Sequence, residues 1–367
     1  MARINVTKSF LPPKEEYQKY IDAIWESAYF TNNGPFLQQL ESELKNYLGV
    51  KNLMVCNNGT IVLQMALKAL GIQGEVITTP FSYVATVNTI LWENCKPVFV
   101  DIEPSTFCIN TELIEDSITE HTQAILCTHV YGLPCNVERI KEIADKHKLK
   151  VIYDGAHAFG SVYNSISLLN YGDISTCSFH ATKLFHTVEG GCIIVNDDAI
   201  DREIFLYRQF GHIHDDYFCI GLNGKNSELH ASMGLCVLPH VPDIIRQRKE
   251  ICERYDEKLL GVFQRPGYTG DNFTYNYAYY PIVIPTENEL LFLKAELEKN
   301  DIFPRRYFYP TLNQLPFVNN GNSCPVSEDI SRRVLCLPLY VGLTIEEIDK
   351  ISMIVLKSAK VEKSFGF

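Results

Sequence analysis

The chain has 367 residues, 46% of them hydrophobic and 21% charged, which is enough for one large domain and a smaller one with substantial cores. Its formal net charge of −11, without a Lys/Arg-rich stripe, argues against a nucleic-acid-binding surface. No apolar run reaches membrane-spanning length and no signal-peptide core is present, so we expect a cytoplasmic protein without a membrane partner.

Short β-rich runs alternate with helical patterns between residues 50 and 196. Amphipathic stretches such as Ile61–Leu70 and Val137–Lys146 separate several of these runs. Continuous apolar strands that alternate with helices indicate an α/β fold with a largely parallel sheet covered on both faces. Ligands of such sheets bind at the carboxyl ends of the strands. The predicted strands are Leu53–Cys56, Glu75–Thr79, Pro97–Asp101, Ala124–Thr128, Val151–Asp154, Ile174–Ser178 and Gly191–Val195.

The pattern of predicted helices and strands changes near residue 240 and predicts a smaller α+β unit. We therefore expect a large domain at 1–238 and a small C-terminal domain at 239–367, with the N-terminal segment free to pack on the small one. The elements predicted for the second unit are a helix at about Val241–Leu260, a strand at Tyr279–Ile284, a helix at Glu287–Asn300, an extended segment at Ile302–Tyr309, the run Val334–Pro338 and a closing helix at Thr344–Lys360.

Neither the cysteines nor the histidines indicate a metal site. The chain has 12 cysteines but no CxxC pair, and many of them lie in apolar runs, so they are interpreted as reduced core residues. His212 and His214, in Gly211-His-Ile-His-Asp-Asp216, have no accompanying cluster with zinc-like spacing. We therefore predict no metal.

Lys183 is the most informative residue of the chain. It lies in Ser178-Phe-His-Ala-Thr-Lys183, on the loop after the strand that follows the run ending in Asp154. An amine there can form a Schiff base with the aldehyde of pyridoxal phosphate, and the carboxylate can keep the pyridine nitrogen protonated. Taken alone the pair is a weak signal, because most lysines are solvated surface charges.

A phosphate site is indicated by Gly59 and Thr60, which follow a strand and open a helix. Glycine permits close backbone approach, and a helix N-terminus with a hydroxyl favours anions. An ordinary Asn/Thr helix cap is the more common use of such a loop. Ser178, at a strand end, is a candidate for a second hydroxyl on the same phosphate.

Aromatic and basic side chains supply further candidates. Tyr83 follows a strand end, where an aromatic ring can stack on a planar cofactor, although a core aromatic fits as well. His157, three residues beyond Asp154, is either a contact to the ring oxygen or a structural histidine. Arg305 lies in a basic pair near Tyr309 and suits a phosphorylated substrate, with solvated surface charge as the default.

The ordered motifs of the chain resemble those of the DegT/DnrJ/StrS family. Members of this family are pyridoxal-phosphate aminotransferases of nucleotide sugars with the aspartate aminotransferase fold, fold type I. The resemblance covers nearly the whole chain and rests on Asn58-Gly-Thr60, Thr79-Pro-Phe-Ser-Tyr-Val-Ala-Thr86, Val100-Asp-Ile102, His129-Val-Tyr-Gly-Leu-Pro134, Asp154-Gly-Ala-His157, Ser178-Phe-His-Ala-Thr-Lys183, Glu189-Gly-Gly191, Gly221-Leu-Asn223 and Leu337-Pro-Leu-Tyr-Val-Gly-Leu-Thr344.

The resemblance implies a mostly parallel seven-stranded sheet in the large domain and a role for each matching residue. Lys183 and Asp154 are expected to be catalytic, and pyridoxal 5′-phosphate, with its pyridoxamine form in the half-reaction, is the expected cofactor. Asn223 is expected to reach the phosphate from a second subunit, which implies a homodimer with shared active sites. The expected contacts to the cofactor are Gly59, Thr60, Tyr83, Asp154, His157, Ser178, Lys183 and Asn223.

Within the family, the sequence motif around Lys183 resembles that of enzymes that aminate C4 of a 4-keto-6-deoxy sugar nucleotide. This implies conversion of a dTDP-4-keto-6-deoxyhexose to the 4-amino sugar of D-gluco configuration in O-antigen (lipopolysaccharide) biosynthesis, with L-glutamate as donor. Gly155, His186 and Gly224-Lys225 depart from the common pattern, and the last two bear on the sugar or nucleotide contacts. The candidate substrate contacts are Lys225, Arg305 and Tyr309.

Alternative functions stay open at this point. The product can have the galacto configuration, or the carrier can be GDP or UDP. A related branch of the family dehydrates sugars with pyridoxamine phosphate and has histidine in place of the lysine, so Lys183 argues against it. A catalytically inactive regulatory protein on the same scaffold is the remaining alternative, and the full set of candidate residues opposes it.

Overall fold

The computed structural model describes residues 3–318 and 322–361. All seven strands predicted for the first part of the chain are present, within two residues at each end. The strands are β1 (Ile4–Asn5), β2 (Asn52–Cys56), β3 (Glu75–Thr78), β4 (Lys96–Phe99), β5 (Thr122–Thr128), β6 (Lys150–Asp154), β7 (Val162–Tyr163), β8 (Ile166–Ser167), β9 (Ile174–Ser178), β10 (Gly191–Val195), β11 (His212–Ile213), β12 (Asp216–Tyr217), β13 (Phe273–Thr274), β14 (Tyr280–Val283), β15 (Ile302–Phe303) and β16 (Val334–Leu337).

Several helices begin where a side chain satisfies free backbone amides. Asn58 Oδ1 accepts from the amides of Thr60 and Ile61, and Thr286 Oγ1 accepts from that of Glu289. The helices are α1 (Lys14–Ser27), α2 (Pro35–Leu48), α3 (Gly59–Ala69), α4 (Val84–Trp92), α5 (Val137–His147), α6 (Asp198–Arg208), α7 (Glu228–Val237), α8 (Val241–Leu259), α9 (Glu287–Glu298), α10 (Pro325–Arg333) and α11 (Ile345–Val361).

The central sheet has seven strands in the order β2-β10-β9-β6-β5-β3-β4. Only β10 runs antiparallel to its neighbours, so the prediction of a mostly parallel sheet is confirmed. Its strands are buried along most of their length because helices cover both faces. The carboxyl ends of β2, β3, β5, β6 and β9 consequently meet at one edge, where the start of β10 also lies.

The C-terminal part has its own core around the antiparallel pair β14–β16, packed between α8, α9 and α11. Strand β1 pairs in parallel with β15, so the N-terminal segment lies against this part. The extended segment predicted at 302–309 is a strand only at Ile302–Phe303, and its remainder is a loop with one bridge from Arg305 to Cys336. The domain boundary at 238/239 falls in the short turn between α7 and α8 and stays a prediction.

A buried carboxylate ties the C-terminal part to the edge of the sheet. Asp101, just past β4, accepts hydrogen bonds from the backbone amides of Val326 and Ser327, both at 2.8 Å, and from the Ser327 hydroxyl at 2.6 Å. It therefore caps the N-terminus of α10, where a negative charge is favoured. Helix α10 in turn contacts the 305–308 loop, because the Ser331 hydroxyl donates to the Phe308 carbonyl at 2.7 Å.

No helix among residues 3–318 and 322–361 is both long enough and apolar enough to cross a bilayer. All 12 cysteines are free thiols, and 11 of them are buried while Cys219 is partly exposed.

Candidate active site

A cavity of about 330 Å³ opens at the carboxyl edge of the central sheet. Loops after β2, β3, β6 and β9 form its floor and walls, and the 305–308 loop closes one side. Eight of the residues singled out in the sequence line it, namely Gly59, Thr60, Tyr83, Asp154, His157, Ser178, Lys183 and Arg305. The fold thus gathers into one site residues that lie far apart in the chain.

Asp154 occupies the buried end of β6 and is only 5% exposed. Its Oδ1 accepts from the backbone amide of Ala156 at 3.1 Å, and its Oδ2 accepts from the Thr86 hydroxyl at 3.0 Å. Burial raises the pKa of this carboxyl, while the two hydrogen bonds and the Lys183 amine lower it. These hydrogen bonds and the amine therefore offset part of the free energy that it costs to bury a negative charge on Asp154.

Lys183 lies in the tight turn after β9, where its backbone amide donates to the carbonyl of His180. Its side chain projects into the cavity that Asp154 also lines. Burial lowers the pKa of the amine, and the negative charge of Asp154 is the main opposing influence. An amine with a lowered pKa is more often unprotonated, which is the state in which it attacks a carbonyl.

The start of α3 approaches the end of β9 very closely. A Cβ added to Gly59 would come within 2.9 Å of Ser178 Cβ and 3.3 Å of Ser178 Cα, so only glycine fits here. Thr60 and Ser178 both line the cavity beside this contact. A helix N-terminus with two hydroxyls and a glycine backbone is suited to binding phosphate.

His157 presents a fixed tautomer to the cavity. Its Nδ1 accepts from the backbone amide of Tyr131 at 3.2 Å, so the ring proton resides on Nε2. The ring is held between aromatic groups and lies parallel to Phe308 at a centroid distance of 5.7 Å. Burial lowers the pKa of His157 well below its usual value, which keeps the imidazole neutral.

The remaining predicted contacts divide into two groups. Tyr83 lines the cavity with its ring 60% exposed, and Arg305 extends over the ring of Tyr307 on the opposite wall. The three others, Asn223, Lys225 and Tyr309, do not line the cavity of the single chain.

The three outlying residues have contacts of their own. The carbonyl of Asn223 accepts from the Asn57 side chain, on the loop that leads into α3. Lys225 Nζ lies over the ring of Phe210, and the Arg306 guanidinium lies over that of Tyr309.

Several cavity residues were given no role from the sequence. His180 Nε2 lies 3.6 Å from a Glu189 carboxylate oxygen at the cavity mouth, and both belong to the quoted motifs. Tyr279 and Tyr307 come from the C-terminal part, where no motif marked them. The sequence signal for Tyr307 was its position directly after the basic pair Arg305-Arg306.

The pair His212 and His214 has no metal-binding companions. His212 Nδ1 lies 2.8 Å from the backbone carbonyl of His214, within the β11–β12 hairpin. Across residues 3–318 and 322–361 there is no group of three His, Cys, Asp or Glu side chains placed to hold a metal ion.

Comparisons with known proteins agree with this arrangement. The chain is 42% identical to a dTDP-4-amino-4,6-dideoxy-D-glucose transaminase from Shigella dysenteriae, covering 95% of this chain and 97% of that protein. It is 33% identical to a GDP-perosamine synthase from Escherichia coli O157:H7, covering 95% and 96% respectively.

Solved structures show the same fold. The crystal structure of DesI, determined in the presence of its TDP-sugar product, superimposes with a TM-score of 0.91 at 26% identity, covering 99% of this chain and 95% of that one. The model of the DegT/DnrJ/EryC1/StrS aminotransferase family matches residues 13–356. This match and the 42% identity over nearly the whole chain show that the chain belongs to the DegT/DnrJ/EryC1/StrS aminotransferase family.

Proposed function

We propose that this aminotransferase acts with pyridoxal phosphate on a nucleotide sugar. It converts a dTDP-4-keto-6-deoxyhexose to the dTDP-4-amino-4,6-dideoxyhexose of D-gluco configuration, with L-glutamate as amino donor. The observation that carries this proposal is the joint presence of the Lys183 amine, the buried Asp154 carboxylate and the start of α3 in one cavity. The 42% identity to a transaminase of this sugar supports the choice of substrate.

The residues of the cavity fit the cofactor. The close approach of Gly59 to Ser178 leaves a cradle of backbone and hydroxyl groups for a phosphate, and Asp154 suits a protonated ring nitrogen. When bound, pyridoxal phosphate supplies an aldehyde for amino groups and a ring that accepts electrons.

Each residue then has a distinct task. Lys183 Nζ would hold the cofactor through its aldehyde, and the free amine would carry a proton to and from the α-carbon of the amino donor. The Asp154 carboxylate would hold the proton of the ring nitrogen, and His157, whose Nδ1 accepts from Tyr131, would have its Nε2 proton free for the ring oxygen. Thr60 and Ser178 bind the phosphate.

The substrate side of the cavity is cationic and aromatic. Arg305 offers a planar donor array suited to a carboxylate or a diphosphate. Tyr83 stacks on the cofactor ring, for which its exposed face is available. Lys225 and Tyr309, which lie outside the cavity of one chain, are assigned to the longer nucleotide part of the substrate.

We also propose a homodimer with shared sites. The segment that leads to Asn223 exposes large apolar side chains, including Tyr217 at 77% and Ile220 at 88%. Contiguous exposed apolar groups of this kind are typical of interaction surfaces. A second copy that covers them would bring its Asn223 to the phosphate. We further propose that the enzyme acts in the cytoplasm, in O-antigen biosynthesis.

A second candidate keeps the reaction and changes the sugar. The 33% identity to a GDP-perosamine synthase over nearly the whole chain favours GDP as carrier, and the galacto product and UDP carriers belong to the same group of alternatives. To distinguish these substrates, the purified enzyme is incubated with pyridoxal phosphate, L-glutamate and one 4-keto-6-deoxy sugar at a time, linked to dTDP, GDP or UDP. A large H3–H4 coupling in the NMR spectrum of the dTDP product supports the gluco assignment. A small coupling, or turnover only with another carrier, contradicts it.

Replacing the amine tests the chemistry itself. Lys183→Ala removes the group that binds the aldehyde and carries the proton, so we expect turnover to fall at least about 1,000-fold, in the range for loss of a catalytic group. The purified variant should lack the yellow absorbance that L-glutamate bleaches in the wild type. Lys141→Ala, which removes an exposed lysine paired with Asp145, serves as the control and should behave like the wild type. Normal turnover in Lys183→Ala would overturn the proposal.

A further inference from the structure

A chain of three buried hydroxyl groups ends on the Asp154 carboxylate. Thr86 Oγ1 lies 3.0 Å from Asp154 Oδ2, Ser82 Oγ lies 2.9 Å from Thr86 Oγ1, and Thr128 Oγ1 lies 2.9 Å from Ser82 Oγ. All three residues are at most 2% exposed. They come from the loop after β3, the first turns of α4 and the end of β5, so three separate elements converge on one carboxylate.

The direction of this chain follows from counting protons. An ionised carboxylate only accepts hydrogen bonds, so Thr86 donates its single hydroxyl proton to Asp154. Ser82 must then donate to Thr86, since the proton of Thr86 is already used. Thr128 must in turn donate to Ser82. Every hydroxyl dipole in the chain therefore points its positive end towards Asp154.

Such an arrangement stabilises the charged form of Asp154 in a place where burial disfavours it. Hydrogen bonds arranged head to tail polarise one another, so the last donor is stronger than an isolated hydroxyl. The amide of Ala156 occupies Oδ1 while Thr86 occupies Oδ2, which fixes the plane of the carboxylate.

Thr86 also departs from the usual behaviour of a buried helical threonine. Such a hydroxyl commonly bonds back to a carbonyl of the preceding turn. Thr89, one turn later and 1% exposed, does so, because its Oγ1 donates to the Thr86 carbonyl at 2.9 Å. Thr86 instead donates to a side chain 68 residues away. The same helix therefore contains a matched pair, one threonine directed at the site and one at the backbone.

We propose that Thr86, supported by Ser82 and Thr128, is a positioning residue that keeps Asp154 ionised and oriented towards the ring nitrogen of the cofactor. This inference rests on the proposed function, because it requires pyridoxal phosphate in the cavity. It assigns a role to two more residues of the motif Thr79-Pro-Phe-Ser-Tyr-Val-Ala-Thr86, from which only Tyr83 had one.

The test uses the holoenzyme loaded with pyridoxal phosphate labelled with ¹⁵N in the ring. Thr86→Val keeps the shape and removes the donor. We expect the ¹⁵N resonance to move towards the position of an unprotonated pyridine and the Kd for the cofactor to rise roughly tenfold, the loss typical of a hydrogen bond to a charged group. Thr86→Ser restores the hydroxyl and should bring both values back towards those of the wild type.

Thr89→Val is the matched control, since it also removes a buried hydroxyl from α4 but leaves the chain intact. Its ¹⁵N resonance should equal that of the wild type. Ser82→Ala and Thr128→Val interrupt the chain further back and should shift the resonance in the same direction by a smaller amount. If Thr86→Val does not fold, Ser82→Ala and Thr128→Val still test whether the hydroxyl chain affects protonation of the ring nitrogen. A wild-type resonance in all three chain variants, or an equal shift in Thr89→Val, would overturn the proposal.

The outcome also separates this inference from the proposed function. If the wild-type protein binds no pyridoxal phosphate, the proposed function fails and the hydroxyl chain loses its purpose with it. If Asp154→Asn abolishes ring protonation while Thr86→Val leaves it unchanged, the proposed function stands and only the role of Thr86 is wrong. In the Asp154→Asn background, Thr86→Val should cause no further shift.

Discussion

Lys183 and Asp154 share one cavity although burial opposes the charge on each of them. Burial lowers the pKa of the amine and raises that of the carboxyl, while each charge stabilises the other. The carboxylate has two further donors, and the amine has no comparable support. Burial outweighs these interactions at both groups, so the pKa of Asp154 stays above its usual value and the Lys183 amine, with a lowered pKa, loses its proton readily.

The pH dependence of cofactor loading should report this coupling. The apo protein binds the aldehyde covalently only through an unprotonated amine, so the loading rate should rise with pH through the pKa of Lys183. Asp154→Asn removes the main influence that raises this pKa, so we expect the midpoint of the loading rate to move to lower pH. Stopped-flow absorbance at saturating pyridoxal phosphate measures it.

Glu189→Gln is the control for that experiment, because it removes another carboxylate of the same cavity that is not a main influence on the pKa of Lys183. Its midpoint should stay within the error of the wild type. A midpoint for Asp154→Asn that is unchanged, or that moves to higher pH, would contradict the coupling.

At the scale of secondary-structure elements, the site depends on the close contact between the start of α3 and the end of β9. Gly59 allows the helix to begin directly against Ser178, and Asn58 caps the first amides. Because β2 and β9 run in the same direction and both pair with β10, their carboxyl ends lie at the same edge of the sheet. The proposed phosphate site therefore depends on the strand order and on the missing side chain of Gly59.

Gly59→Ala should damage this contact. The added Cβ would lie 2.9 Å from Ser178 Cβ and close to its backbone, so the loop or the strand must shift. We expect a loss of about 1–3 kcal/mol in the free energy of unfolding, as for other overpacked sites, and weaker binding of pyridoxal phosphate. Urea unfolding and fluorescence titration measure the two effects.

Gly267→Ala is the matched control, since no atom lies within 4 Å of the Cβ that it adds. It should leave both the free energy of unfolding and the affinity for the cofactor near the values of the wild type. Equal behaviour of the two alanine variants would show that the close approach at Gly59 has no consequence.

At the scale of the whole molecule, the cavity depends on the C-terminal part as well as on the central sheet. Arg305, Tyr307 and Phe308 reach the cavity from the C-terminal part, and Asp101 holds the following helix α10 against the sheet. On the other side, the apolar segment before Asn223 is exposed in a single chain. The C-terminal part thus supplies one wall of the site within the chain. We propose that the segment before Asn223 supplies a further contact to the site of a partner.

Charges introduced into this exposed segment should disrupt the proposed dimer. The double variant Phe218→Asp and Ile220→Asp alters side chains that are 55% and 88% exposed, so the folded single chain tolerates it. We expect sedimentation velocity to show a dimer for the wild type and a monomer for the variant, with weaker cofactor binding because Asn223 of a second copy is lost.

Leu260→Asp, at a residue 71% exposed just after α8, is the control and should remain dimeric. A wild type that sediments as a monomer would contradict the proposed dimer. A double variant that remains dimeric would place the interface elsewhere.

Much of the fold was predictable because its signals are local. The seven apolar runs and the amphipathic helices between them follow directly from burial on both faces of a parallel sheet, and their bounds agree closely with the structure. The hairpins β7–β8 and β11–β12 were not predicted, because two-residue strands have no periodicity to detect. Helices α1 and α2 were also missed, although both are 14 residues long.

The sequence alone determined which groups are available for chemistry. Asp154 and Ser178 end strands, and Thr60 and Lys183 lie just after strands. Strands of a parallel sheet end at one edge, so the convergence of these residues could be expected from the sequence. Only the tertiary structure decided what surrounds them. The hydroxyl chain from Thr128 to Asp154 and the approach of Tyr307 join residues far apart in the chain, and such contacts depend on side-chain packing between elements, which a linear pattern does not encode.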